Sequence, residues 1–286
     1  MFKIAAYAKI NLGLEVLHKR PDGYHEINTI FSRVSLHDTI TIEPSSNLSV
    51  VCSRLPYVRE SDNLVWKAAQ ALQHAYSVRT GAKITIDKHI PTGAGLGGGS
   101  SDAASALRGL VKLWNLPCTR NDLWTIARNL GADVPFFLGT TDAHATGIGD
   151  VLAPISLHVP LSVLLVFPGI EVSTPWAYAM LQRSGDTKPA SDLRSIAHSL
   201  AQTELSAVRM PNDFESAVFK EHPLLPQLCK DLRAGGSVSV FMSGSGSTLV
   251  GLYHNTSDAL QQSRALRSVR SCVCSFVPVI NDEFCL

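Results

Sequence analysis

Apolar and polar residues alternate in several short segments of the first half of the chain, and this pattern predicts strands. Residues 39–42 and 84–86 alternate isoleucine with threonine, as strands with one buried face do. The same reasoning predicts strands over residues 3–17, 27–36, 39–43, 48–52 and 83–89. Turn-forming residues at 20–23 separate the first two of these strands.

Segments with a helical period lie between and after these strands. One begins with Ser61 or Asp62 as its N-cap and continues to residue 72. A second is predicted from residue 100 or 101 to residue 114. A third begins with a capping box formed by Thr119 and Asp122 and ends before Gly131.

The second half also mixes strands with helices. Residues 154–160 are predicted to connect the halves and lead into a strand over 161–167. Helices are predicted over 174–182, 190–201, 212–221, 224–233 and 258–267, and strands over 237–242, 248–253 and 272–279. Because strict βαβ alternation is missing from this order, the predicted fold class is α+β. A chain of 286 residues is long enough for two cores, so we predict domains at 1–155 and 156–286.

Composition and charge narrow the class of protein. Hydrophobic residues make up 45% and charged residues 17% of the chain, which favours folded cores over disorder. The formal net charge of +1 gives no broad electrostatic attraction to nucleic acid or to an anionic membrane. We therefore expect a small-molecule partner, neither nucleic acid nor membrane, and any bound phosphate must be held by a local site.

Targeting signals and cysteine spacing indicate a cytoplasmic protein. The first residues lack the long apolar stretch of a secretory signal, and the apolar run at 161–167 is too short to cross a bilayer. The six cysteines form neither a CxxC motif nor a paired Cys/His spacing, so we interpret them as reduced thiols: Cys52, Cys118, Cys229, Cys272, Cys274 and Cys285.

A glycine-rich loop at residues 91–104 carries the strongest chemical signal. Five glycines lie between residues 93 and 99, and such a segment costs conformational entropy to order without packing a core. Successive backbone N–H groups without side chains can converge on an anion. The loop runs directly into a predicted helix, whose N-terminus also favours phosphate. Ser100 and Ser101 add hydroxyl groups, one of which could contact a metal ion.

Three other interpretations of this loop are less consistent with its flanks. Gly93, Gly95 and Gly98 satisfy the dinucleotide pattern GxGxxG, but no apolar strand precedes them and no acidic residue follows at the required spacing. A P-loop would end in Gly-Lys-Ser or Gly-Lys-Thr, which is missing here. A flexible surface loop would not need to abut a capped helix. A phosphate cradle is therefore the favoured interpretation.

The loop and its neighbours resemble the motifs of the GHMP kinases. The loop is similar to the ATP-binding motif of that family, and further stretches match in the same order at residues 8–12, 20–26, 131–137, 167–169, 173–175, 212–215 and 242–247. The resemblance extends from residue 8 to residue 253. The turn at 20–26 and the two Gly/Ser loops are most similar to the branch that acts on a methylerythritol linked to cytidine diphosphate. Residues 183–210 and the tail match only loosely.

This resemblance implies a fold and a reaction. It implies a ribosomal protein S5 domain 2-like N-terminal domain, a ferredoxin-like C-terminal domain and an active site between them. The implied reaction transfers the γ-phosphoryl group of ATP to the 2-hydroxyl of 4-(cytidine 5'-diphospho)-2-C-methyl-D-erythritol, a step of non-mevalonate isoprenoid precursor synthesis. Mg²⁺ is expected with ATP. Because the sequence shows no carboxylate cage, we expect ATP, water and one serine hydroxyl to hold the ion. A monomer or weak homodimer is expected.

The resemblance also implies roles for individual residues. Lys9 and Asp133 would be catalytic, Lys9 stabilising the carboxylate and Asp133 accepting the proton of the acceptor hydroxyl. ATP would be bound by Pro91, Thr92, Gly93, Ala94, Gly95, Leu96, Gly97, Gly98, Gly99, Ser100 and Ser101. The substrate would contact Asn11, Tyr24, His25, Tyr178, Ser243, Gly244, Ser245 and Gly246.

Each of these residues also has an ordinary structural explanation. Asp133 could cap its loop, and Lys9 could extend outward from its strand. Trp176 competes with Tyr178 as the ring that packs on cytosine. A plain hairpin would account for residues 243–247, and the sequence offers Asn212 and Asp213 no role beyond a helix N-cap.

Two alternative functions stay open within this fold. The first is another GHMP kinase, acting on mevalonate, homoserine or a sugar, although the turn at 20–26 argues against it. The second is a non-catalytic nucleotide-binding protein, against which the intact Lys9 and Asp133 argue. A Rossmann-type oxidoreductase, which would have a different fold, is the least favoured alternative.

Overall fold

A computed structural model describes residues 1–52, 60–181, 188–200 and 208–277 of the protein. The first half contains strands β1 (Phe2–Lys19), β2 (His25–Ser45), β3 (Ser49–Cys52), β4 (Gly81–Asp87), β5 (Asp142–Thr146) and β6 (Val151–Ile155). They form a six-stranded sheet in the order β3-β4-β2-β5-β6, with β1 antiparallel to β2. Three predicted elements end outside the described residues, at residues 182, 201 and 279, and Cys285 also lies outside them.

Strand β2 replaces two strands that the sequence pattern separated at residues 37–38. The register with β1 shifts where Tyr7 pairs with His37 and Ala8 pairs with Val34. The additional residues are accommodated in this β-bulge, so the strand continues through a polar stretch that interrupts the alternation.

The hairpin of β5 and β6 was not predicted, and the predicted connection at 154–160 overlaps its second strand. The two strands pair in antiparallel register from Asp142 with Ile155 to Thr146 with Val151, and β5 also pairs with β2. Small and polar residues occupy much of this hairpin. The sheet edge, rather than local propensity, makes them strands.

The helices of the first half are α1 (Leu64–Tyr76), α2 (Gly98–Leu113), α3 (Arg120–Leu130) and α4 (Val134–Leu138). Asn63, not Ser61 or Asp62, caps α1, because its side chain accepts the N–H of Val65. Helix α2 begins two or three residues before the predicted position, since its first turn includes glycines. The predicted capping box of Thr119 and Asp122 is confirmed at α3.

The second half contains β7 (Ser162–Phe167), α5 (Thr174–Leu181), α6 (Leu193–Ser199), α7 (Glu215–Glu221), α8 (Leu224–Ala234), β8 (Ser239–Met242), β9 (Leu249–Tyr253), α9 (Thr256–Ala265) and β10 (Arg270–Ser275). A four-stranded sheet has the order β10-β7-β9-β8. Helix α7 begins three residues after the predicted position, because residues 211–213 run along β1 instead.

Three hydrophobic clusters explain how the sheets are arranged. One fills the space between the first sheet and helices α1 and α2, and another lies between the second sheet and helices α7, α8 and α9. The third is shared, because Ile10 and Val34 of the first sheet pack with Val163 and Leu165 of the second. Alternate residues of β7 therefore face two different cores, which explains its uninterrupted apolar sequence. The mixed architecture confirms the α+β class, while the domain boundary at 155/156 stays a prediction.

Candidate active site

Two neighbouring cavities meet at the glycine-rich loop. The first has a volume of about 390 Å³ and is lined mainly by the loop, together with Cys52, Asn63, Leu64, Ile86, Lys88 and Asp102. The second has a volume of about 340 Å³ and lies between the two halves of the chain. Both are lined by Gly93, Gly95 and Gly97. A molecule in each cavity could therefore reach the other across the loop.

The loop and the first turn of α2 form one wall of the first cavity. All predicted ATP-binding residues from Pro91 to Ser100 line it. Ser101 does not, because its side chain is buried behind the loop and its N–H donates to the carbonyl of Gly97 at 2.9 Å. Of the two candidate serines, Ser100 therefore lines the first cavity and Ser101 does not.

A buried ionic cluster supports the loop from below, and the sequence reasoning missed it. Lys88 Nζ lies 2.7 Å from Asp102 Oδ2 and also donates to Asp38. Asp38 Oδ1 accepts the N–H of Ile90 at 2.8 Å, so the cluster joins β2, the end of β4 and helix α2. Burial, and to a lesser extent Asp38, raise the pKa of Asp102 to about 7, against the opposing effect of Lys88. The sequence signal that could have revealed this cluster is a lysine before the loop, Lys88, and an aspartate after it, Asp102.

The second cavity contains a Lys9–Asp133 pair. Lys9 Nζ lies 3.6 Å from Asp133 Oδ2, with side-chain exposures of 6% and 32%. The same ammonium donates to Asn11 Oδ1 at 2.7 Å, and Asn11 Nδ2 donates to Thr29 Oγ1 at 2.9 Å. The amide of Asn11 is thus oriented by two protein groups and keeps one N–H for another partner.

Asp133 occupies the N-cap position of α4, yet its carboxylate makes no capping hydrogen bond with the described residues of that helix. The opposite end of α4 is fixed by Arg33, a fully buried residue of β2. Its guanidinium donates to the carbonyl of Phe136 and, at 2.8 Å, to the carbonyl of Gly139. The carboxylate is therefore held at the rim of the cavity rather than used as a local cap.

Two aromatic side chains from different halves stack beside this cavity. The rings of His25 and Tyr178 lie 5.0 Å apart with an interplanar angle of 18°. Tyr178 and the exposed Tyr24 line the cavity, whereas Trp176 packs on His222. Burial, and to a lesser extent Lys19, lower the pKa of His25. Burial, with a smaller effect of Asp133, raises the pKa of Tyr178 to about 12, so both rings are neutral near pH 7.

The turn between β5 and β6 forms another wall that the sequence reasoning missed. Ile148 lines the second cavity, and a Cβ added to Gly149 would lie 3.8 Å from Asp133 Oδ1. The turn is held by Glu26, whose Oε1 accepts the N–H of Gly147 at 2.7 Å. The sequence reasoning did not predict the hairpin, so it could not identify its turn as a wall of the cavity.

The loop at residues 243–247 brings the second half to the site. Gly244 and Ser245 line the second cavity, whereas Ser243 and Gly246 are buried beside it. Ser243 Oγ donates to the carbonyl of Gly95 at 3.0 Å and accepts the N–H of Asn11 at 3.3 Å. A Cβ added to Gly95 would lie 2.2 Å from the carbonyl oxygen of Ser243, so glycine is needed at this contact. The two loops are therefore in direct contact.

Sequence comparisons agree with this architecture. The profile of the GHMP kinases N terminal domain matches residues 63–140, and that of the GHMP kinases C terminal matches residues 189–271. A protein of Chlorobium luteolum named 4-diphosphocytidyl-2-C-methyl-D-erythritol kinase is 44% identical over 264 residues, which cover 90% of each chain. One of the same name from Prosthecochloris aestuarii is 42% identical over 259 residues, again 90% of each chain. The chain belongs to the GHMP kinases, in their 4-diphosphocytidyl-2-C-methyl-D-erythritol kinase branch.

Solved structures of GHMP kinases share the fold. A crystal structure of 4-(cytidine 5'-diphospho)-2C-methyl-D-erythritol kinase superimposes with a TM-score of 0.85 at 38% identity, covering 96% of this chain and 99% of that chain. A homoserine kinase of Cytophaga hutchinsonii superimposes with a TM-score of 0.72 at 15% identity, covering 96% and 95%, which shows the fold alone. Within the described ranges, no helix combines the length and apolarity needed to cross a membrane.

Proposed function

We propose that the chain transfers the γ-phosphoryl group of ATP to the 2-hydroxyl of 4-(cytidine 5'-diphospho)-2-C-methyl-D-erythritol, a step of non-mevalonate isoprenoid precursor synthesis. The observation that carries this proposal is the Lys9–Asp133 pair, which lines a cavity that shares Gly93, Gly95 and Gly97 with the cavity of the glycine loop. A donor and an acceptor bound in these cavities would meet at the pair. Relatives that carry the name of this kinase support the assignment of the substrate.

ATP would bind in the first cavity, with its phosphates on the backbone N–H groups of the loop and the first turn of α2. The positive end of the helix dipole favours this placement. Among the described residues, no group of three or more histidine, cysteine, aspartate or glutamate side chains could hold a metal ion. The Ser100 hydroxyl and the phosphates fit Mg²⁺ held mainly by ATP and water. When bound, the ion neutralises charge on the triphosphate.

Asp133 would act as the base for the acceptor hydroxyl. Its carboxylate would orient the hydroxyl and accept its proton as the bond from oxygen to the γ-phosphorus forms and the bond to ADP breaks. Lys9, 3.6 Å away, would stabilise the carboxylate and the charge that develops on the transferred group. Asn11 would fix the direction of the ammonium and offer its remaining N–H to the substrate.

The cytidine part of the acceptor would bind near Tyr24, His25 and Tyr178. A neutral imidazole offers one donor and one acceptor, which suits the edge of a base. The ring of Tyr178 supplies a face for stacking, and Tyr24 is exposed enough to close over the base. Gly244 and Ser245 of the 243–247 loop, which line the cavity, would direct backbone N–H groups at the phosphates from the second half.

The remaining expectations concern the protein's surroundings. We propose a monomer or weak homodimer in the cytoplasm, without nucleic acid as a partner. The near-neutral net charge of +1 supports the last point, and the free state of the five described cysteines fits a reducing compartment.

Release of ADP, measured with a coupled assay across several acceptors, tests the proposal. We expect turnover with the cytidine-diphosphate methylerythritol and at least 100-fold lower kcat/KM with mevalonate, homoserine or galactose. Faster turnover with one of the latter would assign a different kinase activity. Tight ATP binding without turnover of any acceptor would indicate a non-catalytic nucleotide-binding protein.

A further inference from the structure

Residues 211–213 form a bridge between the two halves of the chain. The N–H of Leu14 donates to the carbonyl of Pro211 at 2.7 Å, and the N–H of Asp213 donates to the carbonyl of Leu14 at 3.0 Å. Asp213 Oδ2 also accepts the N–H of Val16 at 2.8 Å. The bridge is therefore fixed to β1, the strand that carries Lys9, although it precedes α7 of the second half.

Asn212, in the middle of this bridge, reaches the loop at 243–247. Its side-chain Nδ2 donates to the carbonyl of Met242 at 2.7 Å and to the carbonyl of Gly244 at 2.9 Å. Its Oδ1 accepts the N–H of Phe214 at 2.9 Å, and the residue is buried at 9% exposure. Both amide hydrogens and the amide oxygen are used, so the side chain has one orientation.

The two carbonyls that Asn212 holds lie on either side of Ser243. Ser243 in turn donates to the carbonyl of Gly95 and accepts the N–H of Asn11. A continuous set of hydrogen bonds therefore runs from the bridge, through the loop of the second half, to the glycine loop and to the strand of Lys9. A displaced Ser243 loop would loosen its contacts with both of these segments.

We propose that Asn212 is a positioning residue that acts through Ser243. It fixes the distance between the 243–247 loop and β1, and so aligns the donor and acceptor cavities across Gly95. The effect on turnover rests on the proposed kinase function, whereas the effect on loop order does not. Small errors of alignment between two bound reactants are costly to rate, although neither reactant loses its own binding contacts.

The Asn212→Asp variant tests this proposal, because it keeps the shape of the side chain and replaces two N–H donors with an acceptor facing two carbonyl oxygens. We expect kcat to fall about 100-fold. The Kd of ATP should stay within about twofold, because residues 242–247 do not line the first cavity. The control is Asn121→Asp on the exposed first turn of α3, where a negative charge is tolerated. Asn212→Ser, which keeps one donor, should lose less activity than Asn212→Asp.

Amide hydrogen exchange gives a second readout that needs no acceptor. We expect exchange in peptides covering 242–248 and 93–97 to accelerate about tenfold or more in Asn212→Asp and to stay unchanged in Asn121→Asp. A Ser243→Ala change should add little to the loss of kcat in Asn212→Asp, since both act through one hydrogen-bond path. An Asn212→Asp variant with wild-type exchange and wild-type kcat overturns the proposal. A loss of kcat in Asn212→Asp that is matched by an equal loss of ATP-binding stoichiometry also overturns it, because this result indicates unfolding alone. If the wild type phosphorylates no acceptor, exchange still decides the inference, whereas the proposed function fails.

Discussion

The two cavities differ in how the chain builds them. The donor cavity is lined largely by one continuous segment, Pro91 to Ser100, at the start of one helix. The acceptor cavity takes one to three residues each from β1, β2, α5, the loop before α4, the β5–β6 turn and the 243–247 loop. The first is built mostly from residues that are neighbours in the sequence, whereas the second requires both sheets to be in place. Disturbances of packing should therefore affect the acceptor cavity first.

Their charged groups differ in the same way. In the donor cavity, the Lys88 ammonium is enclosed by the carboxylates of Asp38 and Asp102, which leaves it a supporting role. In the acceptor cavity, Lys9 lies 3.6 Å from a single carboxylate, Asp133, that is 32% exposed. A partly exposed, singly paired carboxylate can receive a proton from a substrate, whereas the carboxyl groups of Asp38 and Asp102 are buried and already bonded to Lys88.

The largest expected effect comes from Asp133→Asn, which separates the functions of the two cavities. Removal of a general base lowers kcat by about 10³-fold, while the Kd of ATP stays nearly normal because Asp133 does not line the donor cavity. Steady-state assays and calorimetric ATP titration check both parts. The control Asp258→Asn, in the exposed first turn of α9, should keep wild-type turnover. Unchanged turnover in Asp133→Asn would rule out its proposed role.

The next effect comes from Gly95→Ala, which attacks the contact shared by the cavities. Gly95 has φ +76°, and its added Cβ would overlap the carbonyl oxygen of Ser243 at 2.2 Å. Gly93 has φ +64° with no atom within 4 Å of an added Cβ, so Gly93→Ala is a matched control. The control should cost about 1–2 kcal/mol of backbone strain. Gly95→Ala should lose about 100-fold more kcat/KM than the control loses. Equal losses in the two variants would contradict the proposed loop contact.

A smaller effect, confined to the acceptor side, is expected from His25→Ala. Loss of one hydrogen bond and one stacked ring should raise the KM of the acceptor about 10-fold to 100-fold. The KM of ATP should change less than about twofold, because His25 does not line the donor cavity. A parallel rise in both KM values would show that the cytidine assignment is wrong.

The pH dependence of the acceptor's KM gives a second test of the role of His25. Because burial lowers the pKa of His25, the imidazole gains its proton only below the ordinary value of 6.5. The KM of the acceptor should thus stay flat from pH 8 to pH 6.5 and rise at lower pH. A rise that begins above pH 7 would contradict a neutral His25 in the complex.

The smallest effect concerns stability on the donor side. Asp102 binds a proton up to about pH 7 in the folded chain but only up to its ordinary pKa of 3.8 when unfolded. The folded state therefore binds more protons between these values, and the contribution of Asp102 to stability falls as the pH rises from 4 to 7. The Tm of the wild type should fall relative to that of Asp102→Asn across this window, by about 2 °C for each kcal/mol of unfolding free energy that is lost. A wild-type Tm that rises relative to the variant would show that the carboxyl stays ionised.

The donor cavity could be predicted from the sequence and much of the acceptor cavity could not, for a physical reason. The loop glycines and the helix after them are neighbours in the chain, so their geometry can be inferred from local rules. The contact of Lys9 with Asp133 was inferred only through a family resemblance, because 124 positions separate them in the sequence. Ile148 and the support given by Asn212 depend on a hairpin and a bridge that have weak local patterns, and both were missed.

The same distinction applies to the fold. Strongly periodic helices such as α3 were predicted with their caps, because capping is a local interaction. Strand β2 was divided in two, and β5 and β6 were overlooked, since their pairing depends on the neighbouring sheet. Burial on both faces, as in β7, removed the alternation but left an apolar run that still indicated a strand.

A crystal structure with a non-hydrolysable ATP analogue and the cytidine-diphosphate methylerythritol tests the central claim most directly. We predict the triphosphate on the backbone N–H groups of residues 95–100 and the 2-hydroxyl of the acceptor within about 3 Å of an Asp133 carboxylate oxygen. A triphosphate bound away from the glycine loop would contradict the account, as would an acceptor hydroxyl that no Asp133 oxygen can reach.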